Sequence, residues 1–159
     1  MSDIEDRLSR LEEQVSRSED ERGILATLYK YGHSIDYGLE ADWVECFAED
    51  GAFDMRRRPD FAPAEGQRHQ GRKALAAFVA THTRAPARWH KHMVVEPVVT
   101  VDGDGATVTS YFLRMDEDEG GSDAYAFAFG RYRDRMVRCE DGVWRFQERV
   151  VEIESLHPR

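Results

Sequence analysis

The second half of the chain contains four segments rich in valine, threonine and aromatic residues, separated by acidic, glycine-containing turns. The segments span residues 89–101, 106–115, 124–139 and 143–153. The turn at residues 102–105 reads Asp-Gly-Asp-Gly, a strong signal for a β-hairpin. Because tight turns of this kind join antiparallel neighbours, the pattern predicts four antiparallel strands in a meander.

The first half of the chain has helical periodicity instead. Residues 21–37, 40–48 and 71–82 each place apolar side chains at spacings of three and four. Helices followed by strands indicate an α+β domain. Gly130 interrupts the longest predicted strand and indicates a bend or bulge that curls the sheet. A sheet curled around helices leaves an internal pocket of the kind that binds small molecules.

Residues 1–20 form a separate, highly charged segment. Its apolar residues recur at helical spacing, which predicts a narrow stripe on an amphipathic helix; they are Ile4, Leu8, Leu11 and Val15. Residues 16–20 indicate a break or a frayed join before the next helix. We therefore divide the chain into an N-terminal helix, residues 1–20, and a main domain, residues 21–159. The stripe would pack either across a subunit interface or along its own domain.

Composition excludes several classes of function. A net charge of −9 argues against a general nucleic-acid or anionic-membrane surface. No apolar run approaches the length of a membrane span, and the first ten residues lack the apolar centre of a signal peptide, so we expect a cytoplasmic protein. In that compartment Cys46 and Cys139 are expected to be free thiols.

Asp36 is a carboxylate on the apolar side of the helix predicted at residues 21–37, on the same stripe as Tyr29. An ionised carboxylate that faces a core must find a partner or raise its pKa. His90 and His92 are candidate partners. The alternative is that the helix ends at Asp36 and the side chain faces water or caps a turn.

Several short motifs, taken in order, resemble the SnoaL-like branch of the nuclear-transport-factor-two-like superfamily across residues 21–151. The motifs are Tyr31 with Asp36, Asp42-Trp43, Phe47-Ala48-Glu49-Asp50, Gly71, His92, Val101-Asp102-Gly103-Asp104, Gly130-Arg131-Tyr132 and Asp141-Gly142-Val143-Trp144-Arg145. The resemblance implies a cone, in which a strongly curved antiparallel sheet wraps around three or four N-terminal helices. Members of the superfamily include dehydratases, polyketide cyclases, isomerases and non-catalytic subunits.

The resemblance also implies site residues. Asp36 and His92 match the Asp–His pair of dehydratase-like members, and Tyr31 matches a pocket tyrosine. A histidine supplies a base with a pKa near working pH, the carboxylate orients its ring, and a tyrosine donates to a developing oxyanion. Arg138 matches a pocket arginine of a dehydrochlorinase. Glu96 replaces an asparagine of many relatives and would compete for the imidazole from the same strand face.

We therefore expect a lyase or isomerase, dehydratase- or cyclase-like, that uses His–Asp acid–base chemistry without a cofactor. Its partners would be a small apolar ligand with rings and further copies of itself in a dimer or trimer. The alternative is a non-catalytic ligand-binding or assembly subunit, like the small subunits of dioxygenases. The expected ligand-binding residues are Tyr29, Phe47, Phe53, Trp89, Phe112, Phe127, Phe129 and Arg138.

His90 and His92 also form a His-x-His pair, which places two imidazoles on one face of a strand. A third metal ligand would have to come from Glu96, His69 or His33, and we expect no metal. The remaining histidines, His33, His82 and His157, are expected at the surface or at helix borders.

Residues 56–70 are predicted to form a loop, because they contain two prolines and no periodic pattern. Residues 56–58 are three successive arginines. They would contact an anionic part of a substrate or, alternatively, belong to a solvated loop.

Overall fold

The computed structural model of the chain describes residues 3–57 and 68–157. Three helices and six strands occupy these residues. In chain order they are α1 (Asp3–Tyr37), α2 (Glu40–Glu45), β1 (Phe47–Arg57), β2 (Arg68–Gln70), α3 (Arg72–Ala80), β3 (His90–Asp102), β4 (Gly105–Glu117), β5 (Ala124–Arg138) and β6 (Trp144–Leu156).

The six strands form one curved, unclosed sheet in the order β2-β1-β6-β5-β4-β3. Strands β3 to β6 pair antiparallel with their sequence neighbours, so the predicted meander is confirmed. The sheet also gains β1, which pairs with β6 in parallel, and β2, which pairs with β1. The α+β class with N-terminal helices and a strongly curved sheet is confirmed.

Two irregularities bend the long strands. The β5–β6 register shifts between Phe129 and Gly130, as predicted for this glycine. A Cβ atom on Gly130 would lie 2.0 Å from the carbonyl oxygen of Glu152, so no larger residue fits without displacing β6. The β3–β4 register shifts between Val95 and Val98, where Glu96 has a φ of 51°. This bulge breaks the alternation of β3 and leaves Glu96 exposed, so its predicted place on the face of His92 is wrong.

Helix α1 is continuous from Asp3 to Tyr37, so the predicted break at residues 16–20 is wrong. Residues 3–19 are exposed, and burial begins at Asp20. Asp20 accepts hydrogen bonds from Arg138 Nη2 at 2.9 Å and from Trp144 Nε1 at 3.2 Å. These bonds hold the middle of the helix against the sheet. No helix in the described ranges is both long and apolar enough to cross a membrane.

The core lies between α1 and the inner face of the sheet. Helix α1 contributes a stripe at 4/3/4 spacing whose members are at most 3% exposed: Ile24, Leu28, Tyr31 and Ile35. They pack with an aromatic group from α2, β1, β5 and β6, namely Trp43, Phe47, Tyr132 and Phe146. Burying large aromatic side chains supplies much of the free energy of folding in a domain of this size.

Two predicted elements, a helix and a loop, are shorter in the structure than their patterns indicate. The helix predicted at residues 40–48 stops at Glu45, because β1 begins at Phe47 and pairs with β6. The predicted loop at residues 56–70 is partly strand, since Arg56 and Arg57 end β1 and Arg68–Gln70 forms β2. Arg56 is bound to Asp54 at 2.6 Å. Arg58 lies outside the described residues.

Candidate functional site

Asp36 and His92 are in direct contact. Asp36, at the end of α1, is 4% exposed. Its Oδ1 lies 2.7 Å from Nδ1 of His92, and its two oxygens lie 3.2 and 3.1 Å from the backbone nitrogen of His92. The carboxylate accepts from the backbone N–H and from the ring Nδ1–H. That tautomer leaves Nε2 of His92 with a free lone pair.

A glycine allows this contact to form. Gly32 lies one turn before Asp36 and faces β3. A Cβ atom at this position would lie 2.9 Å from the carbonyl oxygen of His92, so a side chain here would push β3 away from α1. The alternation of β3 then places the rings of His90 and His92 on one face, toward the helices.

An apolar cavity of about 220 Å³ lies between the helices and the inner face of the sheet. It is lined by Tyr31, Ile35, Phe53, Met55, Phe78, His82, His92, Phe112, Arg114, Phe127, Ala128, Tyr132, Val151, Ile153 and Leu156. The cavity thus brings together the predicted residues Tyr31, His92, Phe53, Phe112 and Phe127. Pockets for drug-sized ligands measure roughly 300–1,000 Å³, so this one favours a compact ligand.

A second concavity, of about 330 Å³, lies between α1 and β3. We call it the outer groove, and its lining includes Leu28, Tyr29, Gly32, His33, Asp36, Tyr37, Lys91, His92, Met93 and Val94. Tyr29, predicted to bind the ligand, lies in this groove and is half exposed. His92 borders both spaces, so its ring stands between the outer groove and the cavity.

Tyr31 lines the cavity from within the aromatic core. The guanidinium carbon of Arg149 lies 4.2 Å from the centre of its ring. Burial raises the pKa of Tyr31 to about 12, so the hydroxyl keeps its proton at neutral pH and remains a hydrogen-bond donor. Phe47 belongs to the same core and is absent from the residues that line the cavity.

Besides Tyr29 and Phe47, three more predicted ligand-binding residues lie outside the lining of the cavity. Trp89 precedes β3 and is 46% exposed. Phe129 is half exposed, because the alternation of β5 turns Ala128 inward and its neighbour outward. Arg138 lies at the end of β5, where it binds Asp20.

His82 lies at a helix border, as expected, and it also joins the site, which was not predicted. It lies two residues beyond α3 and lines the cavity. Its Nε2 lies 3.3 Å from Nε2 of His90. Burial lowers the pKa of His82 to about 3 and that of His90 to about 4. Both imidazoles are therefore neutral near pH 7.

A partly buried ion pair lies beside the histidines, and no pattern in the sequence indicated it. Arg114 lines the cavity and binds Asp116 through Nε at 2.6 Å and Nη2 at 2.9 Å. Asp116 is 2% exposed, and Nη2 of Arg88 lies 3.6 Å from its second oxygen. Two guanidinium groups thus share one carboxylate, and Arg114 is the member of this group that lines the cavity.

The histidines are also the group of described residues that could hold a metal ion. Ligand nitrogens of His82, His90 and His92 lie within 4.8 Å of one another. The third imidazole comes from His82 and not from the predicted candidates His69 or His33. The spacing of the histidines in the sequence does not predict this arrangement, because the position of His82 depends on the path of the segment between α3 and β3.

Comparison with known proteins gives one family. A family model described as a SnoaL-like domain matches residues 16–150. No curated protein sequence matches the chain.

Solved structures give the same fold. A nuclear-transport-factor-two-like protein with a cystatin-like fold from Novosphingobium aromaticivorans is 26% identical, with a TM-score of 0.78 over 92% of this chain and 89% of that one. A protein of unknown function from Mycobacterium tuberculosis is 26% identical, with a TM-score of 0.74 over 89% of this chain and 75% of that one. A protein described as the β subunit of an aromatic-ring-hydroxylating dioxygenase from N. aromaticivorans is 21% identical, with a TM-score of 0.74 over 92% and 94%. The resemblance seen in the sequence motifs is confirmed.

Proposed function

The chain belongs to the SnoaL-like domain family, and from this premise we propose that it is a small-molecule lyase or isomerase, dehydratase- or cyclase-like, that needs no cofactor. The observation that carries the proposal is the position of His92. Its ring is hydrogen-bonded to a buried carboxylate and also lines an apolar cavity. We also propose a cytoplasmic location, and the free thiols of Cys46 and Cys139 agree with it.

In the proposed reaction, Nε2 of His92 removes a proton beside a carbonyl or a leaving group of the substrate. Asp36 holds the Nδ1–H tautomer and stabilises the imidazolium that forms. The hydroxyl of Tyr31 donates a hydrogen bond to the developing oxyanion or to the leaving group. The aromatic lining of the cavity favours a compact, largely apolar substrate that contains a ring.

Ligand capture tests the proposal. The protein is incubated with a metabolite extract, re-purified, and the retained compound is identified by mass spectrometry. Ile153→Trp fills the cavity, so we expect it to retain about tenfold less of the compound than the wild type, or still less. Val143→Trp is the matched control, because Val143 is an exposed residue outside the lining of the cavity, and it should retain the compound fully.

The fate of the captured compound then separates the two candidate functions. A product that lacks a small leaving group indicates a lyase, and a product of unchanged mass but different chromatographic retention indicates an isomerase. A compound recovered unchanged after long incubation contradicts the enzyme proposal. That result would favour a non-catalytic ligand-binding or assembly subunit, and the fold is similar to that of a protein described as a dioxygenase β subunit.

We also propose that the protein forms a dimer or trimer through the N-terminal part of α1. The stripe of Ile4, Leu8, Leu11 and Val15 is 54–74% exposed, and exposed apolar stripes commonly mark protein interfaces. Light scattering is expected to give two or three times the chain mass of 18.3 kDa. Leu8→Glu should reduce this mass and the control Ser9→Glu should not. A monomeric wild type would refute the proposal.

A further inference from the structure

Three imidazoles from separate parts of the chain converge at one wall of the cavity. His90 and His92 come from the start of β3, and His82 comes from the segment after α3. The ring centres are 5.0, 5.1 and 5.6 Å apart. The ring planes are inclined to one another by 51–86°, so the rings converge at steep angles and do not stack.

The spacing of the nitrogens fits a metal ion. Imidazole nitrogens bind zinc at about 2.0–2.1 Å, so two of them on a tetrahedral ion lie about 3.4 Å apart. The Nε2 atoms of His82 and His90 are already 3.3 Å apart. The ligand nitrogens of the three histidines all lie within 4.8 Å of one another. A ring rotation that shortens the widest of these distances by about 1.4 Å would let all three nitrogens bind one ion.

The surroundings of the rings also suit metal ligands. Asp36 accepts the Nδ1–H of His92, as carboxylates do behind the histidines of many zinc sites. Nδ1 of His90 is buried without a hydrogen-bond partner among the described residues, and the polar neighbours of this ring lie at its Nε2 atom, which is 3.3 Å from Nε2 of His82 and 3.7 Å from Oδ1 of Asp36.

We propose that His82, His90 and His92 form a binding site for one divalent transition-metal ion, with zinc as the reference ion. Three imidazole nitrogen donors suit zinc, cobalt, nickel, iron or copper and not calcium or magnesium, which prefer oxygen ligands. His82 and His92 both line the cavity, so the fourth ligand position would face the space where a small molecule binds.

This inference concerns the same imidazole as the proposed function, and the two describe different states of the site. A bound ion occupies the Nε2 lone pair of His92, so the metal-bound protein lacks the free base. Added zinc is therefore expected to inhibit turnover of the captured compound, and chelation should restore it.

Metal titration of the chelator-treated protein tests the site without any substrate. Co²⁺ is followed by its visible absorption, and Zn²⁺ by calorimetry. We expect one ion per chain. Asp36→Asn should weaken binding by about 10–100-fold, since a partner behind a ligand is lost, and His82→Ala should weaken it further. His33→Ala is the control, because His33 is exposed and borders the outer groove, and it should bind like the wild type.

Circular dichroism establishes that each variant is folded. A wild type that binds no Co²⁺ or Zn²⁺, or a folded His82→Ala variant that binds like the wild type, would overturn the metal site. Neither result affects the proposed function, which requires turnover in chelated buffer. Conversely, activity that is lost on chelation and restored by a metal would support the site and remove His92 as the free base.

Discussion

His92→Ala is expected to lower kcat/KM for the captured compound by about 10²–10⁴-fold in chelated buffer, because positioned acid–base groups contribute that much. The ring borders the cavity, and its Nε2 carries the free lone pair. Steady-state kinetics on the wild type and the variant measure the loss. His33→Ala is the matched control, since it removes an exposed imidazole from the outer groove and should leave kcat/KM unchanged.

Asp36→Asn extends the same prediction to the residue that positions His92. The amide can donate a hydrogen bond to Nδ1, which favours the tautomer protonated on Nε2 and removes the free lone pair. We expect turnover to fall together with a change in the ¹⁵N NMR signals of the His92 ring from the Nδ1–H to the Nε2–H form. A purely structural role would leave the tautomer of a folded variant unchanged. Unchanged turnover in both His92→Ala and Asp36→Asn would eliminate the proposed mechanism.

Arg149→Met is expected to reduce the free energy of unfolding by about 3–5 kcal/mol, because it leaves a buried carboxylate without its partner. Arg149 and Asp134 face each other across β6 and β5 and are both fully buried. Two hydrogen bonds join them, at 2.9 and 2.8 Å. The guanidinium carbon also lies 3.9–4.2 Å from the centres of three aromatic rings, those of Tyr31, Tyr132 and Phe146. Urea unfolding measures the loss.

The control and the rescue use the same strands. Arg133→Met removes an exposed arginine of β5 that lies 3.5 Å from Glu152, and it should cost at most about 1 kcal/mol. The double variant Asp134→Leu with Arg149→Met removes both buried charges and should recover most of the stability. The rescue is measurable even if Arg149→Met alone fails to fold. A loss below about 1 kcal/mol for Arg149→Met would show that the pair contributes little.

Local patterns were sufficient for the four-strand meander and for the buried face of α1. The Asp-Gly turn at residues 102–105 specifies a hairpin within a few residues, and the apolar spacing of α1 specifies which face is buried. Gly130 marked the shift in β5 because glycine within a strand indicates a close approach of backbone. Patterns failed where distant contacts decided the outcome. Helix α1 continues through residues 16–20 because Asp20 binds side chains more than 100 residues away.

The site divides in the same way. The carboxylate of Asp36 was identifiable because it interrupts an apolar helix face, and His92 because it opens a strand at a position that matches relatives. The residue type did not show which aromatic side chains of β5 face the cavity, since the register of the strand places Ala128 inside and Phe129 outside. The pairing of Asp134 with Arg149 leaves no local signal, because each lies in a charged stretch that resembles an exposed strand.

The sequence alone determined the α+β class, the four-strand meander and the carboxylate of Asp36 as a candidate, because turn chemistry and side-chain periodicity act over a few residues. The resemblance to the SnoaL-like family pointed to His92 as the partner of Asp36. The tertiary structure decided that His82 joins His90 and His92, that Arg114 and Asp116 form a charged wall, and that Arg138 lies elsewhere. These placements follow from register shifts and helix packing. Both depend on contacts between residues far apart in the chain, so a short stretch of sequence does not predict them.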